Sequence, residues 1–357
     1  MQMKEREAVE IVESSSLGAL GTLSPDVVYA HVDYLGRELP GPIDLYQRWE
    51  RQHWSATAID FGEDRRQWRS MSQAAREPFE SSFVAFFFGE QAVTDTLSPM
   101  VHAAPDEDNR LFLSTQLVDE ARHSYFFARF FNEALGVEGG LRGALARAAE
   151  ARQFGGGYGR IFEPQDGELA RVTEAVRAEP GDYGLWVQSV TLYHLMIEGV
   201  LALPGQRRIL RLTRLNDLLP GFRAGFTAVT RDESRHVSYG VWALREAVRA
   251  GHEPDIRTIV DRTLPYCVGI GGNPEVKLPR AQDVPPTMRL DPREQWAFVV
   301  DSITKRLRSA AMSPEYVADV ERRAWDLIGA GLSRYEQLHG EHPVRAWERG
   351  EVTAAAG

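Results

Sequence analysis

Two short strings 113 positions apart read almost alike: Val118-Asp119-Glu120-Ala121-Arg122-His123 and Arg231-Asp232-Glu233-Ser234-Arg235-His236. Both contain Asp-Glu-x-Arg-His. On a helix, residues three apart lie on one face, one turn separated. Each string can therefore offer one metal ion a carboxylate oxygen and an imidazole nitrogen.

The Glu-x-x-His spacing alone is weak. With nine histidines and 51 acidic residues in 357, roughly one acid three places ahead of a histidine is expected by chance. Four such pairs occur: Glu50/His53, Glu120/His123, Glu233/His236 and Glu336/His339. Only the middle two share the longer string. The outer two lie in polar surroundings and read as surface pairs.

Upstream of each repeat stands a lone acid in an apolar helical run. Glu90 follows Phe86-Phe87-Phe88-Gly89, and Glu198 lies within Leu195-Met196-Ile197-Glu198-Gly199-Val200-Leu201. A buried carboxylate is costly unless it is protonated, paired or bound to a metal. Pairing with Arg122 and Arg235 is the alternative, but it leaves both histidines unexplained. Gly89 and Gly199 leave room beside the two acids.

Glu90 and Glu120 are 30 residues apart, and Glu198 and Glu233 are 35 apart. A turn near 104–109 divides the first interval, and one near 215–221 divides the second. At ~1.5 Å per residue, the two arms of each hairpin climb to similar heights. Four helices then supply Glu, Glu-x-x-His, Glu and Glu-x-x-His, the ligand set of ferritin-like dinuclear sites. The expected metal ligands are Glu90, Glu120, His123, Glu198, Glu233 and His236. Metal-bound histidines commonly donate their other N–H to a carboxylate. Two-fold pseudo-symmetry assigns Asp232 to His123 and Asp119 to His236.

The remaining chain fits an all-α protein with a four-helix-bundle core. Apolar residues recur at helical spacing, as in Val118, Ala121, Tyr125, Ala128 and Phe131. Residues 1–60 read as an irregular extension with a short helix at 43–54, 61–250 as the bundle, and 251–357 as a C-terminal loop and helices. The Gly-rich stretch from Gly155 to Glu168 reads as flexible. Segment 263–292 reads as a long loop or linker, followed by helices at about 293–310 and 313–338; the tail from Gly350 should fray.

A net charge of −10 argues against a nucleic-acid coat or a binder of anionic lipid. One cysteine, Cys267, excludes an internal disulfide and cysteine-rich clusters. The charged N-terminus does not read as a signal peptide, and the densest apolar stretch, Phe83–Phe88, is far short of the ~20 residues of a bilayer span. A cytoplasmic protein is expected.

Together the strings around Glu90, the run Tyr193-His194-Leu195-Met196-Ile197-Glu198-Gly199-Val200-Leu201-Ala202-Leu203 and the two repeats resemble the ligand-binding oxidases related to the ribonucleotide reductase small subunit. The match spans roughly 59–250. The resemblance implies a Mn/Fe centre, with Fe/Fe as the alternative, that activates O2 beside a bound long-chain fatty acid or similar apolar molecule. It further implies an ether cross-link between Val93, three residues after the first ligand, and Tyr193, five before Glu198. A homodimer is expected. Pro204-Gly205-Gln206 departs from the family pattern, which carries a tyrosine there. Two other functions compete. In a radical-generating reductase subunit the radical tyrosine would fall at Phe127, and the terminal GEVTAAAG has no tyrosine. The other is non-catalytic metal or lipid storage. His194 adjoins the site but points elsewhere by helical phase, and reads as a core histidine or one that supports a ligand.

Overall fold

Polar side chains placed just ahead of the run mark where three of the four bundle helices start. The structure, a computed structural model, describes residues 2–150, 157–271, 273–275, 278 and 290–344. No strand occurs among the described residues. Among the described residues three of the helices ahead of the bundle are ten residues or longer: α1 (Gln2–Ser14), α2 (Pro25–Glu38) and α3 (Pro42–Arg51). The bundle follows as α4 (Gln73–Thr96), α5 (Glu107–Phe130), α6 (Tyr183–Leu215) and α7 (Pro220–Arg249). After the bundle the long helices among the described residues are α8 (Glu253–Cys267), α9 (Pro292–Ser309) and α10 (Pro314–His339).

Ser72, Asp106 and Asp182 cap α4, α5 and α6, each accepting from a backbone N–H three residues on. Helix α7 is capped differently. Leu219 ahead of it has no polar side chain, so the carboxylate of the buried Asp64 accepts from Gly221 N (2.9 Å) and Phe222 N (2.7 Å). Asp64 comes from the short helix Gly62–Ser70, which is thereby tied to the start of the fourth bundle helix. Burial pushes its carboxyl up and these backbone donors pull it back.

Below the site the bundle is filled by phenylalanine. Phe222 lies 4.6 Å from both Phe83 and Phe130, centroid to centroid, joining α4, α5 and α7. Each fully buried ring contributes about 1.5–3 kcal/mol through area removed from water. Gly240 permits a close approach at the other end. A Cβ there would fall 2.1 Å from His194 Cβ, so α7 can lie against α6 only because residue 240 has no side chain.

Several expectations are corrected. The first 60 residues are largely helical rather than irregular, and the helix expected at 43–54 is α3, ending at Arg51. Helix α1 packs on α2, α2 on α7, and α3 on α5. The Gly-rich stretch contains a helix, Gly157–Phe162, although Gly155 and Gly156 lie outside the described residues. The expected loop at 263–292 begins as the last turn of α8, with Pro265 inside the helix. Most of 272–289, and the tail from Gly350, lie outside the described residues. The two C-terminal helices, α9 and α10, stand where expected.

Among the described residues one helix, α6, is long and apolar enough to cross a membrane by length and composition, a longer apolar stretch than Phe83–Phe88. Its apolar window is 78% buried inside the protein, as befits a bundle's central helix.

Candidate metal centre

Helix α4 brings Glu90, α5 brings Glu120 and His123, α6 brings Glu198, and α7 brings Glu233 and His236. None of the six is more than 6% exposed. Their ligand atoms form two overlapping groups, each within 4.8 Å: Glu90, Glu120, His123 and Glu233, then Glu120, Glu198, Glu233 and His236. Glu120 and Glu233 belong to both. That is the arrangement for two adjacent ions with two carboxylates between them.

The empty donor atoms fit such ions. Nδ1 of His123, Nδ1 of His236, one oxygen of Glu198 and one of Glu233 are buried with no hydrogen-bond partner. His123 Nδ1 stands 3.3 Å from Glu90 and 3.5 Å from Glu120 and Glu233. His236 Nδ1 stands 3.3 Å from Glu120 and 3.4 Å from Glu198. Buried polar atoms are normally bonded. Four unbonded ones converging in a single place, all oxygen or imidazole nitrogen, suit manganese or iron.

Without ions the charges distribute unevenly. Burial pushes the Glu90 carboxyl up to about 8, opposed by His123. Burial also raises Glu198 and Glu233, with neighbouring carboxylates adding to it. Glu120 goes the other way: burial opposes its charge, but the imidazoles of His123 and His236 hold its carboxyl below the ordinary range. Burial likewise opposes charge on both histidines, and the surrounding carboxylates outweigh it and raise them. The metal-free cluster is thus a set of shared protons that cations would replace.

Around this cluster lies a frame with the same two-fold repeat. Nε2 of His123 donates to Asp232 Oδ2 and Nε2 of His236 to Asp119 Oδ2, both at 3.2 Å. An ionised aspartate only accepts, so each ring keeps its proton on Nε2 and turns Nδ1 to the centre. Arg235 donates to Asp119 (2.9 Å) and Asp232 (2.7 Å), and Arg122 stands 3.0 and 3.3 Å from the same two. The arginines therefore pair with the aspartates, not with Glu90 or Glu198. Burial opposes charge on Asp232, yet Arg235 and His123 hold its carboxyl well below the usual range.

Two tryptophans complete the frame. Trp49 Nε1 donates to Asp119 (2.9 Å) and Trp54 Nε1 to Asp232 (2.7 Å). Gln52 accepts from Arg235 at 2.6 Å. These residues come from the end of α3 and the segment after it.

The middle of α6 is not α-helical. Thr191–Ala202 is a π-helix, closed by Leu203 N–H bonding to Glu198 O five residues back. On an α-helix Tyr193 and Glu198 would point about 140° apart. Widening the turn to an i→i+5 pattern sets them roughly one above the other. Both then reach the cluster, and Tyr193 Oη donates to Glu120 at 2.9 Å. Burial, then Glu120, keeps that phenol well above its ordinary value and so protonated. His194 adjoins the site through one neighbour. Its Nε2 donates to Gln116 Oε1 (2.9 Å), and Gln116 Nε2 donates to Glu198 (3.0 Å). Burial lowers His194 to about 3, so it is a neutral donor locked into the site's edge.

A cavity of about 180 Å³ opens beside Glu90, Glu120, Glu198 and Glu233. Val93, Phe86, Ile197 and Leu201 form apolar walls, and Tyr158 and Phe162 close it from the Gly157–Phe162 helix. Tyr158 Oη would lie 3.1 Å from a Cβ on Gly89, so the room beside Glu90 holds a phenol. Likewise Arg306 fills the space beside Gly199, at 3.1 Å.

Glu50/His53 and Glu336/His339 stay out of the cluster. His53 is exposed, while His339, half-buried, faces the Pro274 carbonyl at 3.3 Å. Phe127 is buried and stacks on Phe87, whereas Tyr125 is 47% exposed. Trp49, Trp54, Gln116 and Tyr158 escaped the sequence reading, since no spacing ties them to the repeats.

The family model of the ribonucleotide reductase small chain matches residues 37–136, which include Glu90, Glu120 and His123. Solved R2-like ligand-binding oxidases share the fold. A valine-to-isoleucine variant with an anaerobically reconstituted Mn/Fe cofactor aligns at TM-score 0.62 and 21% identity, covering 76% of this chain and 93% of that one. A glycine-to-leucine variant with a non-activated Mn/Mn cofactor gives 0.61 and 22%, with coverage of 76% and 93%. An aerobically reconstituted oxidase after photoconversion gives 0.57 and 19%, with coverage of 84% and 94%. The all-α, ferritin-like architecture is shared with these structures, and the family model overlaps the span whose motifs resemble that family.

Proposed function

We propose that this chain is an O2-activating dimetal-carboxylate oxidase that holds an apolar ligand, such as a long-chain fatty acid, beside a Mn/Fe or Fe/Fe centre. One observation carries this reading: two four-donor groups share Glu120 and Glu233 and leave four buried donor atoms without partners. In this reading Glu90, Glu120, His123 and Glu233 would hold one ion and Glu120, Glu198, Glu233 and His236 the other.

When bound, the pair of ions supplies two electrons to O2 at one place, which carboxylates and imidazoles alone cannot do. The chain's own residues do the rest. Asp119 and Asp232 fix the tautomer and direction of each imidazole. Gln116, held by His194, orients Glu198. Phe86, Tyr158 and Phe162 exclude water from the face where the cavity opens, which strengthens every charge interaction inside.

The cavity's apolar lining supports an apolar ligand, each buried CH2 contributing ~0.8 kcal/mol. Phe86 lines it, but Phe87, Met196 and Leu203 are fully buried in the packing instead.

Val93 and Tyr193 are proposed to form an ether cross-link. Val93 lines the cavity next to Glu90, and the Tyr193 phenol bonds to Glu120. Forming the bond removes the phenol hydrogen and the valine Cβ hydrogen. The two hydrogens would leave as two protons and two electrons with O2 as the oxidant; the ions that the six carboxylate and imidazole residues would hold would supply the two further electrons, and solvent two protons, for two waters. Metal-free protein loaded with Mn(II) and Fe(II) and exposed to air should lose the mass of two hydrogens and yield a linked peptide. Tyr193→Phe should bind metal without that loss. O2 uptake with both residues unmodified would refute the cross-link, and no O2 uptake would refute the oxidase. Organic extraction with mass spectrometry tests the ligand; an empty extract from metal-loaded protein would remove it.

A further inference from the structure

The metal-side cavity has a neighbour. A second cavity of about 270 Å³ shares Ala85, Phe86 and Gly205 with it and opens among Arg207, Arg208 and Arg211. The Phe86 ring is the partition. Its tip would lie 2.9 Å from a Cβ on Gly205, so it crosses between the chambers where residue 205 has no side chain. On its other flank the ring meets Phe226 edge-on, with centroids 5.2 Å apart. Turning that one ring would join the two spaces and more than double the inner volume.

The two chambers differ in chemistry. The inner one is apolar except for the carboxylate cluster. The outer one is lined by three guanidinium groups, of which two are engaged. Arg211 donates to Glu294 at 2.6 Å. Arg207 lies 3.6 Å from Asp26 and sits over the Phe298 ring. Asp291, on the same wall, is held by Arg293. Arg208 is exposed at the mouth and has no acidic partner among the described residues.

We propose that the ligand is a two-headed amphiphile: an alkyl chain with one carboxylate at the metal cluster and a second at Arg208. The proposal rests on the preceding reading of the inner cavity as an apolar ligand site and adds the identity of the far end. A plain fatty acid would leave its methyl end in a basic, water-open chamber. A distal carboxylate would give Arg208 the planar, charge-assisted partner it lacks. Glu198 and Arg208 are ten residues apart on α6, at most roughly 15 Å along its axis because the π-helical part rises less per residue, within the reach of a chain of about a dozen carbons.

The test uses metal-loaded full-length protein and three probes: dodecanedioic acid, its monomethyl ester and dodecanoic acid. Dissociation constants come from calorimetry on the wild type, Arg208→Ala and Arg208→Lys. The wild type should bind the diacid about tenfold more tightly than the half-ester. Arg208→Ala should erase that difference and leave dodecanoic acid unchanged, and Arg208→Lys should restore part of it. Equal binding of diacid and half-ester, or equal loss of all three probes in Arg208→Ala, would overturn the two-headed ligand and leave the apolar site standing. If none of the three binds, both readings fall together.

Discussion

His123 and Asp232 face each other across the bundle, Nε2 to Oδ2 at 3.2 Å, although 109 residues separate them. His236 and Asp119 repeat the contact in the opposite sense. Each Asp-Glu-x-Arg-His string therefore gives its histidine to one half of the site and its aspartate to the other. Neither string can orient its own imidazole.

Removing either acceptor should weaken the centre. Asp119→Asn and Asp232→Asn are expected to lower metal affinity about 10–100-fold. Asp232→Ala should also destabilise the fold by about 3–5 kcal/mol, because the buried Arg235 loses its nearest charge partner. Equilibrium dialysis with metal analysis reads the first effect and denaturant unfolding the second. Wild-type affinity in both Asn variants would show that the aspartates only anchor the arginines.

Metal stoichiometry should follow the imidazoles. His123→Ala and His236→Ala are each expected to fall from two equivalents per chain towards one or fewer, since each ion is offered one nitrogen. Two full equivalents in both variants would rule out this ligand set.

Metal removal should make stability depend on pH in a particular direction. Burial raises the Glu90 carboxyl from 4.5 to about 8 in the metal-free fold. A group raised on folding contributes fully below its unfolded value and loses that contribution as pH climbs through the folded one. The thermal midpoint of metal-free protein should thus drop between about pH 5 and pH 8. Metal-loaded protein, its carboxylates already neutralised, should be flatter over that window and higher throughout. Parallel curves for the two forms would contradict the assignment of Glu90.

The contact between α6 and α7 should tolerate no added carbon. Gly240→Ala places a methyl against His194 at 2.1 Å, and overpacking of this kind costs about 1–3 kcal/mol. Because His194 holds Gln116, and Gln116 holds Glu198, metal content should fall as well. Unfolding and metal analysis on one preparation test both. A destabilised variant that keeps two equivalents would separate His194 from the site.

The convergence of the six carboxylate and imidazole residues was legible in the sequence because its signals are local. Glu120 and His123, and Glu233 and His236, are set by helical spacing within single turns. Glu90 and Glu198 stand out because a lone acid in an apolar run must find a partner. Even the crossed aspartates follow, since duplicated strings in a pseudo-symmetric bundle leave them few other acceptors.

Tertiary structure decided what such spacing cannot encode. The π-helix at Thr191–Ala202 depends on how α6 packs against α7, α8 and α9, and it alone brings Tyr193 and Glu198 to one face. Trp49 reaches Asp119 from 70 residues away and Trp54 reaches Asp232 from 178. Tyr158 closes the cavity from a stretch that composition marks as flexible. These contacts arise where separate helices bury against one another, and hydrophobic burial carries no address in the sequence. Only the folded chain shows which indole, phenol or arginine comes to stand beside the carboxylates.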